Sequence, residues 1–171
     1  MSKNDNDLVF MGQALDQAEK ALEAGEFPVG CVIAGPSGVI ATGGRTCSRQ
    51  QTPSEIDHAE INALKNFYSL CHGQDRRKLT IYATLEPCLM CFAAILISGI
   101  CRIVYAYEDV MGGGTSCCTK KLAPIYRNAQ IQIVSNLMRE QSRQLFYRYF
   151  SDPQNTYLKN TMFAEYVLAG K

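Results

Sequence analysis

The sequence predicts an α/β fold, a three-layer α/β/α sandwich around a mixed five-stranded sheet with an antiparallel first hairpin and parallel strands 3–5. Three observations carry this expectation. Apolar residues switch repeatedly between helical and strand periods along the chain. Glycine and proline punctuate the switches. Beyond the first hairpin, strands alternate with helical stretches, and strands joined by helical crossovers run parallel. The 171 residues suit one core. A single domain over 1–171 is expected, with a helical C-terminal extension at about 154–171.

The elements follow in order. Leu8 to Ala24 sets Phe10, Met11, Ala14, Ala18 and Leu22 at helical spacing, and Gly25 closes it. Pro28–Ala34 and Val39–Thr42 are apolar and β-branched, separated by Gly35-Pro-Ser-Gly38, which predicts a hairpin. Residues 43–56 are polar and read as a loop. A short helix opens at Asp57 and runs through Ala63, Leu64 and Phe67. Leu79–Thr84 is the third strand. Glu86-Pro87 opens the next helix, with proline at the first helical position, where its missing N–H is harmless. This helix is apolar nearly all round from Met90 to Ile97, so it should be buried. Arg102–Ala106 is the fourth strand, followed by Gly112-Gly-Gly114 and a short helix around Lys121 to Arg127. Ile131–Val134 is the fifth strand, and a helix spans about Asn136 to Phe150, broken by Pro153. Tyr157 to Leu168 reads as a terminal helix. Ligands in such sheets sit at the carboxyl ends of the strands. The helices opening at Asp57 and Glu86 begin at that edge.

Composition narrows the function. Apolar residues make up 47% and charged residues 19%, as in ordinary globular proteins. The apolar stretch around Cys91 to Ile97 is far short of the roughly 20 residues that cross a bilayer. The polar start, Met1 to Asp7, has no secretory core, so a cytoplasmic location is expected. Net charge is +1, which weighs against a surface that grips many phosphates. There are eight cysteines. With no export signal, free thiols are expected, and Cys31 and Cys101, set in apolar runs, read as small core residues.

Two short motifs carry chemistry. His58-Ala-Glu60 stands at the start of one predicted helix and Pro87-Cys88-Leu-Met-Cys91 at the start of another. Cysteines three apart share a helix face and can bind one ion. A Cys₂His set suits zinc and leaves a fourth position open for water, as in catalytic rather than structural sites. His72 is the other histidine in the chain. Helix N-termini favour the thiolates that bind metal. Glu60, two residues past His58, is placed to move protons without ligating. Taken alone, Cys-x-x-Cys also fits a redox motif, half a zinc finger or two ordinary buried cysteines. The two motifs together, in this order, favour a zinc deaminase.

His-Ala-Glu followed by Pro-Cys-x-x-Cys resembles the signature of the cytidine/deoxycytidylate deaminase superfamily. Phe27-Pro-Val-Gly30, Asp57–Leu64, Thr84–Cys91 and Ile100–Tyr105 are most similar to the bacterial tRNA adenosine deaminases and related guanine deaminases. The resemblance implies one Zn²⁺ per chain on His58, Cys88 and Cys91, with Glu60 catalytic. It implies substrate contacts around Pro28, Ala59, Glu86 and Pro87. It also implies a homodimer and hydrolytic loss of ammonia from a nucleobase.

Two departures stand out. Where the tRNA enzymes carry an asparagine that touches substrate, this chain has Arg45, which would reach a phosphate or carbonyl or else be a solvated loop charge. At the C-terminus Phe146-Tyr-Arg-Tyr-Phe150 replaces an aromatic pair and arginine run. With Arg139, Arg143 and Arg148 it would stack bases or, more simply, form core or dimer surface. Gly112–Gly114 reads as flexible and able to admit substrate; Cys117-Cys118 has no assigned role. Adenosine-to-inosine deamination in tRNA leads the expected functions. Deamination of a free base or nucleoside, such as guanine or cytosine, is the alternative. A non-catalytic zinc protein that binds RNA or a partner is the third, and Glu60 argues against it.

Overall fold

The computed structural model describes residues 3–70 and 73–170. The chain begins with α1 (Lys3–Glu23), followed by the hairpin strands β1 (Gly30–Gly35) and β2 (Gly38–Gly44). Next come α2 (Ala59–Leu70), β3 (Thr80–Leu85), α3 (Leu89–Ser98) and β4 (Arg102–Tyr107). The chain closes with α4 (Pro124–Arg127), β5 (Gln132–Val134), α5 (Arg139–Ser151) and α6 (Met162–Leu168).

The strands form one sheet in the order β2-β1-β3-β4-β5. β3, β4 and β5 are parallel, as the alternation predicts. The hairpin is antiparallel, but so is the ladder between β1 and β3, with Cys31 opposite Ala83. The expectation that only the hairpin is antiparallel is therefore corrected. β1 inserts between its hairpin partner and β3, so it is buried on both edges and both faces.

Alternation along the strands splits the core in two. Cys31, Ile33, Ile81 and Ile103 face the α2–α3 side, while Val32, Ala34, Tyr82 and Val104 face α1. Gly43 lets β2 and α2 close up, since a Cβ there would stand 2.3 Å from the Ala59 carbonyl oxygen. α5 lies beside α1, and its Ser142 hydroxyl donates to the Thr84 carbonyl at the carboxyl end of β3. Phe146, Tyr149 and Phe150 of α5 join Phe27, Tyr107 and Phe163 in an aromatic cluster. They are core, not a base-stacking surface.

Several boundaries move for physical reasons. α1 begins five residues before Leu8, because Asp7 has a buried role: it accepts from both terminal nitrogens of Arg102, each at 2.7 Å, and from the Tyr82 hydroxyl. The short helix around Lys121 divides into a 3₁₀ turn at Thr119–Lys121 and α4. The terminal helix starts at Met162, capped by Thr161, and Tyr157 stands in the turn before it. α3 is not buried all round: Leu89 and Ile97 are 56% and 52% exposed. Cys31 is core, but Cys101 is partly exposed.

Candidate metal centre and active site

Two chain reversals at the carboxyl edge of the sheet build the site. His58 lies one residue before α2, not within its first turn, and its carbonyl accepts from Asn62 N–H at 2.9 Å. That is an N-cap position, which frees the imidazole from the helix surface. Cys88 holds the same place on α3, accepting from Phe92 N–H at 2.8 Å. Pro87 therefore sits ahead of the cap, not at the first helical position. Cys91, one turn on, brings its sulfur to the same side.

His58, Cys88 and Cys91 bring their ligand atoms within 4.8 Å of one another, the one such group found among the described residues. His72 lies outside the described residues. His58 Nδ1 is 3.6 Å from Cys88 Sγ and 3.5 Å from Cys91 Sγ. Bonds of about 2.3 Å to sulfur and 2.0 Å to nitrogen, meeting at a tetrahedral angle, separate the two donors by about 3.5 Å. The spacing fits a zinc ion.

Among the three candidate ligands the electrostatics favour the metal-binding form at Cys88. The Cys88 thiol is pulled down to about 4, first by a hydrogen bond from Cys91 and then, against burial, by His58. Cys91 moves up as the donor in that bond, so without metal the pair shares a proton. Burial pulls His58 down, but its bond to Cys88 and the charge of Glu60 carry it above its ordinary value. Glu60, in the first turn of α2, is 3% exposed, and burial pushes its carboxyl up.

His58, Glu60 and Cys88 line a cavity of about 190 Å³. Ala59 and Glu86 lie on its wall. Pro28 and Pro87 do not; Phe27 and Val29 flank Pro28 and form the lining instead. Glu86 accepts from Asp109 N–H and from the backbone and hydroxyl of Thr115, tying the loop after β4 to the site. That loop is packed rather than free. Gly114 N–H donates to the Pro87 carbonyl, and a Cβ on Gly114 would stand 2.5 Å from Leu89 N. Gly114 allows close approach to α3, and Gly113 allows close approach to the Glu86 carboxylate and the Asp109 carbonyl. Cys117 and Cys118 are exposed and lie off the cavity.

Arg45 is neither solvated nor distant. It is 3% exposed, lines the cavity, and donates from Nη2 to Tyr157 Oη at 3.2 Å. Tyr157, Leu158 and Phe163 complete the wall. Sequence reasoning missed these, because nothing near them in the chain marks them. Asp109 was also missed, although its place just after β4 at the ligand edge was a usable signal. The α5 arginines do not form a free basic face: Arg139 pairs with Glu108, Arg143 with Glu140 and Arg148 with Glu19.

A family profile described as "Cytidine and deoxycytidylate deaminase zinc-binding region" matches residues 4–107. The tRNA-specific adenosine deaminase of Streptococcus pyogenes serotype M18 (strain MGAS8232) is 32% identical over 131 residues, covering 75% of this chain and 80% of the relative. That of Haemophilus influenzae (strain ATCC 51907 / DSM 11121 / KW20 / Rd) is 32% identical over 149 residues, covering 86% and 85%. A solved structure from a study of A-to-I editing by tRNA:A34 deaminases matches with a TM-score of 0.63 at 31% identity, over 80% of this chain and 97% of the other. A guanine deaminase from Nitrosomonas europaea shares the fold, with a TM-score of 0.66 at 20% identity over 83% of each chain.

Proposed function

This chain belongs to the cytidine and deoxycytidylate deaminase zinc-binding family, and we propose that it hydrolyses the amine from a nucleobase using one zinc ion held by His58, Cys88 and Cys91. The observation that carries this reading is the 3.5–3.6 Å spacing of one imidazole and two thiol donors beside a buried carboxyl. Bound zinc supplies Lewis acidity, which brings the ionisation of a coordinated water close to neutrality. Glu60 takes one proton of the attacking water and gives it to a ring nitrogen, then carries the remaining hydroxyl proton of the adduct to the departing amine. Water adds its oxygen to the amino carbon, and ammonia leaves. A carboxyl raised by burial suits both halves of that exchange. The Ala59 and Glu86 wall positions the base beside it.

Relatives at 31–32% identity support adenosine in tRNA as the substrate, with inosine as product. The geometry of this chain supports a free base or nucleoside better. The cavity is walled by its own Tyr157, Leu158 and Phe163, and the arginines of α5 are paired with carboxylates. The segment after Pro153 thus belongs to the same functional unit as the rest of 1–171. Exposed Leu89 and Ile97 on α3 suit a homodimer contact, and free thiols suit a reducing cytoplasm. No helix among the described residues is long and apolar enough to cross a membrane. A screen of ammonia release from bases, nucleosides and a tRNA transcript tests the reading. Release from a small molecule supports it, release from the transcript alone restores the RNA reading, and release from none removes deamination.

A further inference from the structure

Arg45 is a buried cation with part of its donor set unused. Its Nη1 is buried and has no hydrogen-bond partner. Its nearest carboxylate, Glu55, is 3.7 Å away with a side chain 67% exposed, so water screens the pair. A charged donor left unpaired away from water is costly, and such a group persists where a ligand completes it. Arg45 lines the same cavity as His58, Glu60 and Cys88. Its guanidinium is held in place: Nη2 bonds to Tyr157 Oη, and Cζ lies 5.4 Å from the Tyr157 ring centre.

We propose that Arg45 is a specificity-determining residue and that the substrate is a single amino heterocycle that also carries a ring carbonyl oxygen, which accepts the free Arg45 hydrogen bond. The inference rests on the deaminase reading above. The unpartnered Nη1 donor matches a ring carbonyl oxygen, which guanine and cytosine both present. The edges of adenine offer ring nitrogens and an amine but no oxygen. A phosphate would call for several converging donors, and here Glu55 and Glu60 stand near a single cation. A cavity of about 190 Å³ lies below the roughly 300–1,000 Å³ of pockets that take drug-sized ligands, so one base fits it.

The test uses the full-length zinc-loaded protein and its Arg45→Gln and Tyr157→Phe variants, with zinc content and melting temperature recorded for each. Ammonia release and calorimetric binding are measured with guanine, cytosine, adenine and adenosine. The wild type should favour guanine or cytosine over adenine and adenosine by at least about 100-fold in kcat/KM. Arg45→Gln should lose about 10- to 100-fold on the favoured base, mainly through KM, with zinc content unchanged. Tyr157→Phe should lose less in the same direction, and it carries the test if Arg45→Gln does not fold. Preference for adenine or adenosine, or a discrimination that the variants leave intact, overturns the proposal. If no base yields ammonia, the deaminase reading fails, and binding alone decides Arg45: tighter binding of guanine or cytosine that Arg45→Gln abolishes upholds its role, and equal binding of all four removes it.

Discussion

Arg45 and Tyr157 meet through a 3.2 Å hydrogen bond across 112 positions of sequence, and this contact fastens the C-terminal segment to the mouth of the cavity. Tyr157 in turn donates to Glu55 at 2.7 Å and packs its ring on Phe27. The segment after α5 is thus part of the site and of the core.

Phe163→Ala tests the core half of that statement. Phe163 is 1% exposed and touches four other rings. Its removal should cost about 3–5 kcal/mol, read from denaturant unfolding. A loss below about 1 kcal/mol would mean that α6 is not docked as described.

Gly114→Ala tests the packing of the loop after β4. The new methyl would stand 2.5 Å from Leu89 N and 2.7 Å from the Cys88 carbonyl carbon, displacing the residue that caps α3. Overpacking of this kind costs roughly 1–3 kcal/mol, and here part of it should appear as faster zinc loss to a chelator. Unchanged zinc retention would show that the loop yields freely.

Glu108 gives a pH dependence. Burial pushes its carboxyl up, but hydrogen bonds from Arg139 and Tyr166 outweigh that and hold it below its ordinary 4.5. A carboxylate whose folded value is depressed stabilises the protein fully above the unfolded value, and the benefit disappears as pH falls through the folded one. Wild type should therefore lose stability below about pH 4.5 more steeply than Glu108→Gln. Parallel stability curves would contradict this.

Replacing Cys91 by serine should remove most of the bound zinc while the fold persists, since Cys91 is the buried member of the cluster. Metal analysis and far-ultraviolet circular dichroism check the two halves. Retention of a full zinc complement would exclude Cys91 as a ligand.

The chemistry-bearing residues are legible because each group is local. His58 and Glu60 are two positions apart, Cys88 and Cys91 three, and a helix start fixes their geometry. Strand periods and glycines likewise place every strand to within about two residues. What sequence leaves out is long-range pairing. Asp7 is an ordinary polar residue until Arg102 and Tyr82 meet it, and only then does α1 have reason to begin early. The antiparallel β1–β3 ladder depends on which edge β3 chooses, and no local pattern encodes that choice. From sequence Arg45 reads equally as a ligand contact or a solvated loop charge, and only Tyr157, packed on Phe27, buries it.

Zinc-edge X-ray absorption of the purified protein reads the coordination sphere of the metal itself. The expected result is about one zinc per chain, with two sulfurs at ~2.3 Å, one imidazole nitrogen at ~2.0 Å and one further light atom from solvent. A third sulfur, a second imidazole, or a protein free of zinc after growth with the metal would contradict it.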